Sequence, residues 1–380
     1  MRRIGFYLFI MAVFLLAPLF ALPQKAVPAP AAAPTPTPTA VVQAAAPYRA
    51  VWVSYLEWEQ VDFSSAEAFT QAIGTMLDNI QSIGATVVLA QVRPFGDALY
   101  PSDYFPFSHL CTGTQGQDPG FDPLALLVDA AHARDLQLEA WVNPYRIQAG
   151  QTPALCGASP ARLHPDWVRY TDTGAYLDPA NADVRQYIAD GVGELCARYA
   201  VDYAASGSTR TQDDWRRENV NALMELCHAA ARRYGVRFGA APAGDPEQNY
   251  TLQYSDAARW LRQGTVDYLM PQLYWGQEYI KNGDASHSFA QLAAAWAALP
   301  RAAGVKLYAG LGAYRVGAGD GSDAGSEWFS GHALADQLAL LARLGVQGAG
   351  LYRYGSLFAN SDAPALAESE AEAIKGVWQG

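Results

Sequence analysis

The chain has 380 residues, 51% hydrophobic and 17% charged, which is enough to bury a large core. A net charge of -11, with no basic run after Arg3, argues against nucleic acid as a partner. No CxxC or HxxxH spacing occurs, so no metal site and no cofactor are implied.

Residues 1–22 read "MRRIGFYLFIMAVFLLAPLFAL": two arginines, then an uncharged apolar run. This is the pattern of a secretion signal, and its length also suits an uncleaved membrane anchor. Both readings put the rest of the chain outside the cytoplasm. Residues 23–47 are rich in Pro, Ala and Thr and nearly devoid of bulky side chains, the composition of an extended spacer. Residues 48–380 form the globular domain.

In that domain apolar runs alternate with amphipathic helices. Strands are expected at 50–58, 86–94, 136–146, 236–244, 266–275, 305–315 and 346–356. Helices are expected at 65–84, 122–135, 181–199, 213–234, 255–264, 286–300, 331–345 and 363–378. Near-continuous apolar strands between helices indicate a parallel sheet covered on its faces. Eight such units fit a (β/α)8 TIM barrel. The rival, a doubly wound open sheet, usually carries a Gly-rich phosphate loop after an early strand, and none is present.

One unit is incomplete. Between the helix ending near Tyr199 and the one opening at Asp213 runs "AVDYAASGSTRTQ", where a fourth strand belongs. The fourth strand is therefore expected to be shortened or missing.

The polar and aromatic residues gather at the C-terminal ends of the strands, where a barrel builds its site. They include Glu57, Gln91, Arg93, Asp97, Tyr100, Glu139, Trp141, Asn143, Tyr145, Arg146, Gln272, Tyr274, Trp275, Tyr314, Arg315, Tyr352 and Arg353. Amides and arginines bond hydroxyls, and Trp and Tyr faces stack on sugar rings, so the set suits a polyhydroxylated ligand. Each has a plainer reading: Arg93 and Arg146 as loop braces paired with Asp97 or Glu139, and Glu139 as a structural ion pair within an apolar strand. A glycosidase needs two carboxylates across the scissile bond, and no obvious pair stands out in the sequence. Four cysteines are present, and Cys111 and Cys156, both in long loops, form the candidate disulfide.

The segments "RAVWVSYLEW", "QVRPFGDALYPSDYFPFSHL", "EAWVNPYRI", "LHPDWV", "DWRRENVN" and "PQLYW" together resemble the glycosyl hydrolase-like 10 family of bacterial envelope proteins. The resemblance implies a TIM barrel and glycoside hydrolysis, with peptidoglycan glycan strands stripped of stem peptides as the substrate. Matched position by position, Arg93, Asp97 and Tyr100 fall in its second-strand motif. Trp141, Asn143, Tyr145 and Arg146 fall in the third, and Gln272, Tyr274 and Trp275 in the sixth. Family members typically carry an Asp-Asp pair at the fourth strand end, and this chain lacks it. Three carboxylates are left as catalytic candidates: Asp97, Glu139 and Asp213. Asp213 and its neighbour Asp214 also read as acidic residues favouring a helix N-terminus. The expectation is a surviving glycan groove with catalysis weakened or lost. A working hydrolase and a non-catalytic extracytoplasmic glycan-binding protein are the rivals.

Overall fold

The computed structural model describes residues 47–199, 212–323 and 326–380, and within 212–216 only the backbone. Residues 1–46, expected to be a signal and most of a spacer, lie outside the described residues, as does the segment 200–211 expected to hold the fourth strand. Among the described residues no helix is long and apolar enough to cross a membrane.

Twelve strands are described: β1 (Tyr48–Val53), β2 (Val87–Arg93), β3 (Gln137–Val142), β4 (Arg146–Ala149), β5 (Val168–Thr171), β6 (Gly174–Leu177), β7 (Gly239–Ala240), β8 (Tyr268–Leu269), β9 (Gln272–Leu273), β10 (Lys306–Leu307), β11 (Ala309–Leu311) and β12 (Gly348–Leu351). β3, β2, β1, β12, β11 and β9 form one parallel run, and β10, β8 and β7 another. The two runs are one barrel wall. β8 and β9 are halves of a single barrel strand parted by Met270 and Pro271, and Tyr308 parts β10 from β11 in the same way. The ladder crosses both breaks: Met270 N–H donates to Ala240 O at 2.8 Å, and Gly310 N–H donates to Pro271 O at 2.8 Å.

The fold is thus a (β/α)8 TIM barrel with seven of its parallel positions described. Among the described residues β3 pairs only with β2 in this wall, and β7 only with β8. The two edges flank the place of the fourth strand.

Local signals set the element ends. Ser65 caps the helix Ala66–Ser82 by accepting from Ala68 N–H, and Asp122 caps Pro123–His132. The run expected as a strand over 50–58 stops at Val53. Ser54 then opens a short helix, Tyr55–Trp58, through a capping box with Glu57. The 136–146 run likewise stops at Val142, and its remainder enters a small antiparallel sheet, β4–β6–β5, that the periodicity does not announce.

Large and small residues alternate inside the barrel. Tyr48 stacks on Tyr308 with centroids 3.9 Å apart, and Tyr268 lies 5.1 Å from Tyr308. Glycines make the room: a Cβ on Gly239 would fall 1.9 Å from the Tyr268 ring, and one on Gly350 would fall 2.6 Å from Trp52. Both are sterically forbidden, so these aromatics fill the interior only because the facing strands carry Gly.

On the outer layer, Glu370 of the C-terminal helix Pro364–Gln379 reaches the start of the helix Ala333–Arg343. It accepts from Ala333 N–H at 2.6 Å and Leu334 N–H at 3.1 Å. Burial raises its carboxyl pKa from 4.5 to about 7. A folded-state pKa above the unfolded one means the folded chain favours the protonated acid. The cost is absent below about pH 4.5 and complete above about pH 7. Wild-type stability should therefore fall by on the order of 2 kcal/mol between pH 5 and pH 8 relative to Glu370→Gln. Urea unfolding of both proteins across that range checks it.

Candidate functional site

The C-terminal ends of the strands converge on a cluster of rings centred on Tyr352. Its ring lies 5.6 Å from Tyr274, nearly parallel to it, and 6.0 Å from Tyr314. It meets Trp52 edge-on at 5.9 Å and Trp141 at 6.4 Å. Tyr274, Tyr314 and Tyr352 are half-buried, as is Trp275 on the next turn of chain. Burial raises the hydroxyl pKa of all three tyrosines, so each phenol stays protonated as a hydrogen-bond donor.

Amides and an arginine border this cluster. Trp141 Nε1 donates to Asn143 Oδ1 at 3.1 Å, and Asn143 Nδ2 donates to Pro94 O at 3.2 Å. Arg146 Nε donates to the same carbonyl at 3.2 Å, and its guanidinium lies 4.8 Å from the centre of the Phe95 ring. Arg146 thus braces the loop after β2, by way of a carbonyl and a ring rather than a carboxylate. Gln272 Nε2 donates to Ala241 O at 2.9 Å, tying the sixth barrel strand to the fifth.

Other expected site residues lie elsewhere. Arg93 and Tyr100 are 0% exposed and Tyr145 is 3% exposed, so none of them lines the mouth. The cause is local. A register shift between Gln91 and Arg93 sets Arg93 opposite Val142, on the face turned to the helices. Its guanidinium there lies 3.5 Å from the centre of the Phe105 ring. Tyr100 packs edge-on against Tyr199 at 5.5 Å.

Two of the three candidate carboxylates, Glu139 and Asp97, are also interior. Glu139, 1% exposed, accepts from Tyr48 Oη at 2.5 Å and from Tyr268 Oη at 2.6 Å. Those tyrosines lie at the starts of β1 and β8, so the Glu139 carboxylate sits in the lower half of the barrel, away from the mouth. Asp97 is fully buried and accepts from Gln115 Nε2 at 3.2 Å, with His109 Nδ1 at 3.6 Å. Asp97 thus meets an amide and an imidazole among the described residues rather than Arg93. Asp213 belongs to the helix Gln212–Arg233, and its side chain lies outside the described residues. The expected Cys111–Cys156 bridge is corrected: both are free thiols. Cys111 is buried in the short helix His109–Thr112, and Cys156 stands against Gly116.

Three further carboxylate arrangements lie near the strand ends, built on Glu57, on Asp245, and on Asp320 with Glu327. Glu57 is buried and ion-paired with Arg353, and also accepts from Gly355 N–H at 3.1 Å. The Ser-x-x-Glu spacing of 54–57 is the signal that could have found its cap. Asp245, after the fifth barrel strand, stands 3.3 Å from His287 Nε2, and the His287 ring lies 5.6 Å from Trp275. Asp320 accepts from Gly276 N–H at 2.7 Å and from Trp328 Nε1 at 3.0 Å, while Glu327 accepts from Gln277 N–H. These two clasp the loop after β9 beside a cavity of about 320 Å³. Burial first, and then the Asp320 charge, raise the Glu327 pKa. Among the described residues no group of three or more His, Cys, Asp and Glu side chains could hold a metal ion.

A parallel barrel with aromatics and amides at its strand ends defines a glycoside hydrolase-like TIM barrel. The glycosyl hydrolase-like 10 family profile matches residues 47–207 and 203–330, and the chain belongs to that family. The two matched stretches meet within the short fourth unit. The chain is 33% identical to glycosyl hydrolase YngK of Bacillus subtilis, over 73% of this chain and 62% of YngK. It is 32% identical to glycosyl hydrolase DigH of Escherichia coli K12, over 72% of this chain and 75% of DigH. Among solved structures, the PgaB glycoside hydrolase domain of Bordetella bronchiseptica aligns with a TM-score of 0.53 at 15% identity, covering 87% of this chain and 98% of that domain. The β-amylase catalytic domain of Paenibacillus polymyxa aligns with a TM-score of 0.55 at 10% identity, with the same coverage. These two likenesses speak for the fold.

The position of Glu139 makes it a test case. Glu139→Ala removes the acceptor of two buried hydroxyls and should cost about 3 kcal/mol of stability. Glu139→Gln, which keeps one acceptor, should cost about half as much. Urea unfolding checks both; full stability in Glu139→Ala would mean that the carboxylate does not hold the barrel together.

Proposed function

We propose that this protein binds bacterial envelope glycan, in particular peptidoglycan glycan strands freed of stem peptides, outside the cytoplasm, and that it cleaves them weakly. One observation carries the reading. The strand ends present rings, amides and an arginine suited to sugar, while Glu139 and Asp97 are buried and already bonded. The sequence also lacks the fourth-strand Asp-Asp pair. Glycoside hydrolysis needs an acid and a second carboxylate facing each other across the bond.

The family and its relatives, named as glycosyl hydrolases, support a glycan ligand. The N-terminal apolar run supports an extracytoplasmic site of action, either secreted or anchored. No cofactor enters this reading. A fully non-catalytic glycan-binding protein is the second reading, favoured by the same engaged carboxylates.

Incubation of the purified protein with denuded glycan strands separates the readings. Retention on the strands with slow release of reducing ends is expected. Rapid release would overturn the impairment and direct attention to Asp213. Absence of binding would sink both readings. Trp275→Ala removes a half-buried ring from the mouth and should weaken binding about tenfold, or ~1.4 kcal/mol, as read by isothermal titration.

A further inference from the structure

Tyr352 touches more of the mouth than any other ring described above, yet its own strand ends one residue before it, at Leu351. Its position is fixed from outside that strand. The next residue, Arg353, is ion-paired through Nη1 to Glu57 Oε1. The same oxygen accepts from Gly355 N–H at 3.1 Å. The other carboxylate oxygen accepts from Ser54 N–H at 2.8 Å and from Ser54 Oγ at 2.7 Å. Glu57 thus draws four donors from two loops onto one buried carboxylate.

The turn that carries Glu57 is itself pinned. Tyr55 N–H donates to Gln91 Oε1 at 2.9 Å, and Trp58 Nε1 donates to Gln91 O at 2.9 Å. The end of β12 is therefore referred through Glu57 to β1, and through Gln91 to β2. A Cβ on Gly355 would fall 2.8 Å from Glu57 Oε1 and 2.9 Å from Arg353 Nη1, so a larger residue there would push this ion pair aside. The arrangement is more than a helix cap. The capping box needs Ser54 and Glu57 only, whereas the charge-assisted bond from Arg353 to Glu57 fixes the loop beside Tyr352 as well.

We infer that Glu57 is a positioning residue: through Arg353 and Gly355 it sets the Tyr352 ring at the angle at which a sugar face meets the mouth. This rests on the proposed glycan binding. Glu57 does not itself touch the sugar.

The test uses the full-length protein with Glu57→Gln, Tyr352→Ala and the double variant. Affinity for denuded glycan strands is measured by isothermal titration, and the aromatic cluster by near-ultraviolet circular dichroism. Glu57→Gln keeps one acceptor oxygen, enough for Ser54 or for Gly355 but not both, and removes the charge that holds Arg353. It should weaken binding about tenfold and alter the aromatic spectrum in the same way as Tyr352→Ala. The double variant should bind no more weakly than Tyr352→Ala, because the two residues act through one ring. Losses that multiply in the double variant would overturn the inference, as would wild-type affinity in Glu57→Gln. If the wild-type protein binds no glycan strand, the proposed function fails and the spectrum alone decides. An unchanged aromatic spectrum in Glu57→Gln then sinks the positioning role, and a Tyr352→Ala-like spectrum sustains it.

Discussion

A single carboxylate inside the barrel ties together strands that the backbone ladder does not join. Glu139 on β3 accepts from Tyr48 on β1 and Tyr268 on β8. β3 and β7 are the two edges flanking the fourth unit, and β8 is the neighbour of β7. The Glu139–Tyr268 bond therefore crosses the barrel interior between strands on opposite sides of the fourth position. A carboxyl group so deeply buried needs hydrogen-bond partners, and two phenols provide them. The interior rings around it depend in turn on glycines, since Gly239 and Gly350 leave the space that Tyr268 and Trp52 occupy.

The mouth rests on that wall, and its polar groups mostly brace the loops. Asn143 and Arg146 meet on the Pro94 carbonyl, Gln272 holds Ala241, and Glu57 holds Arg353. Groups braced in this way keep their orientation before a ligand arrives, which reduces the ordering cost of binding. The carboxylates follow the same rule. Glu57, Asp97, Asp245, Asp320 and Glu327 are engaged by backbone amides, an indole, an arginine, a glutamine or a histidine. Chemistry at such a site requires one of them to exchange its structural partner for the substrate, or another carboxylate, such as the exposed Glu278 beside the cavity after β9, to act.

The barrel was legible in the sequence because it rests on local regularities. Period and length marked the helices, Ser65 and Asp122 marked starts, and apolar runs marked the parallel strands. Strand length was overestimated wherever apolar residues ran past the ladder. The run 236–244 keeps only Gly239–Ala240 as a strand, and Pro271 interrupts the run 266–275. A proline lacks the N–H that the ladder requires, and apolarity alone does not reveal where pairing stops. The small sheet β4–β6–β5 escaped notice because its partners lie in a long loop without a continuous apolar face.

The sequence by itself determined the alternation of strand and helix, the short fourth unit, the family and the ring-rich strand ends. All of these follow from residue type and spacing along the chain. Tertiary structure decided which side chains face the mouth. One register shift after Gln91 turned Arg93 toward the helices, strand alternation put Glu139 inside, and Glu57 became a junction only when the end of β12 came beside that of β1. Side-chain direction and partner identity depend on pairing between distant strands, and no local pattern encodes that pairing.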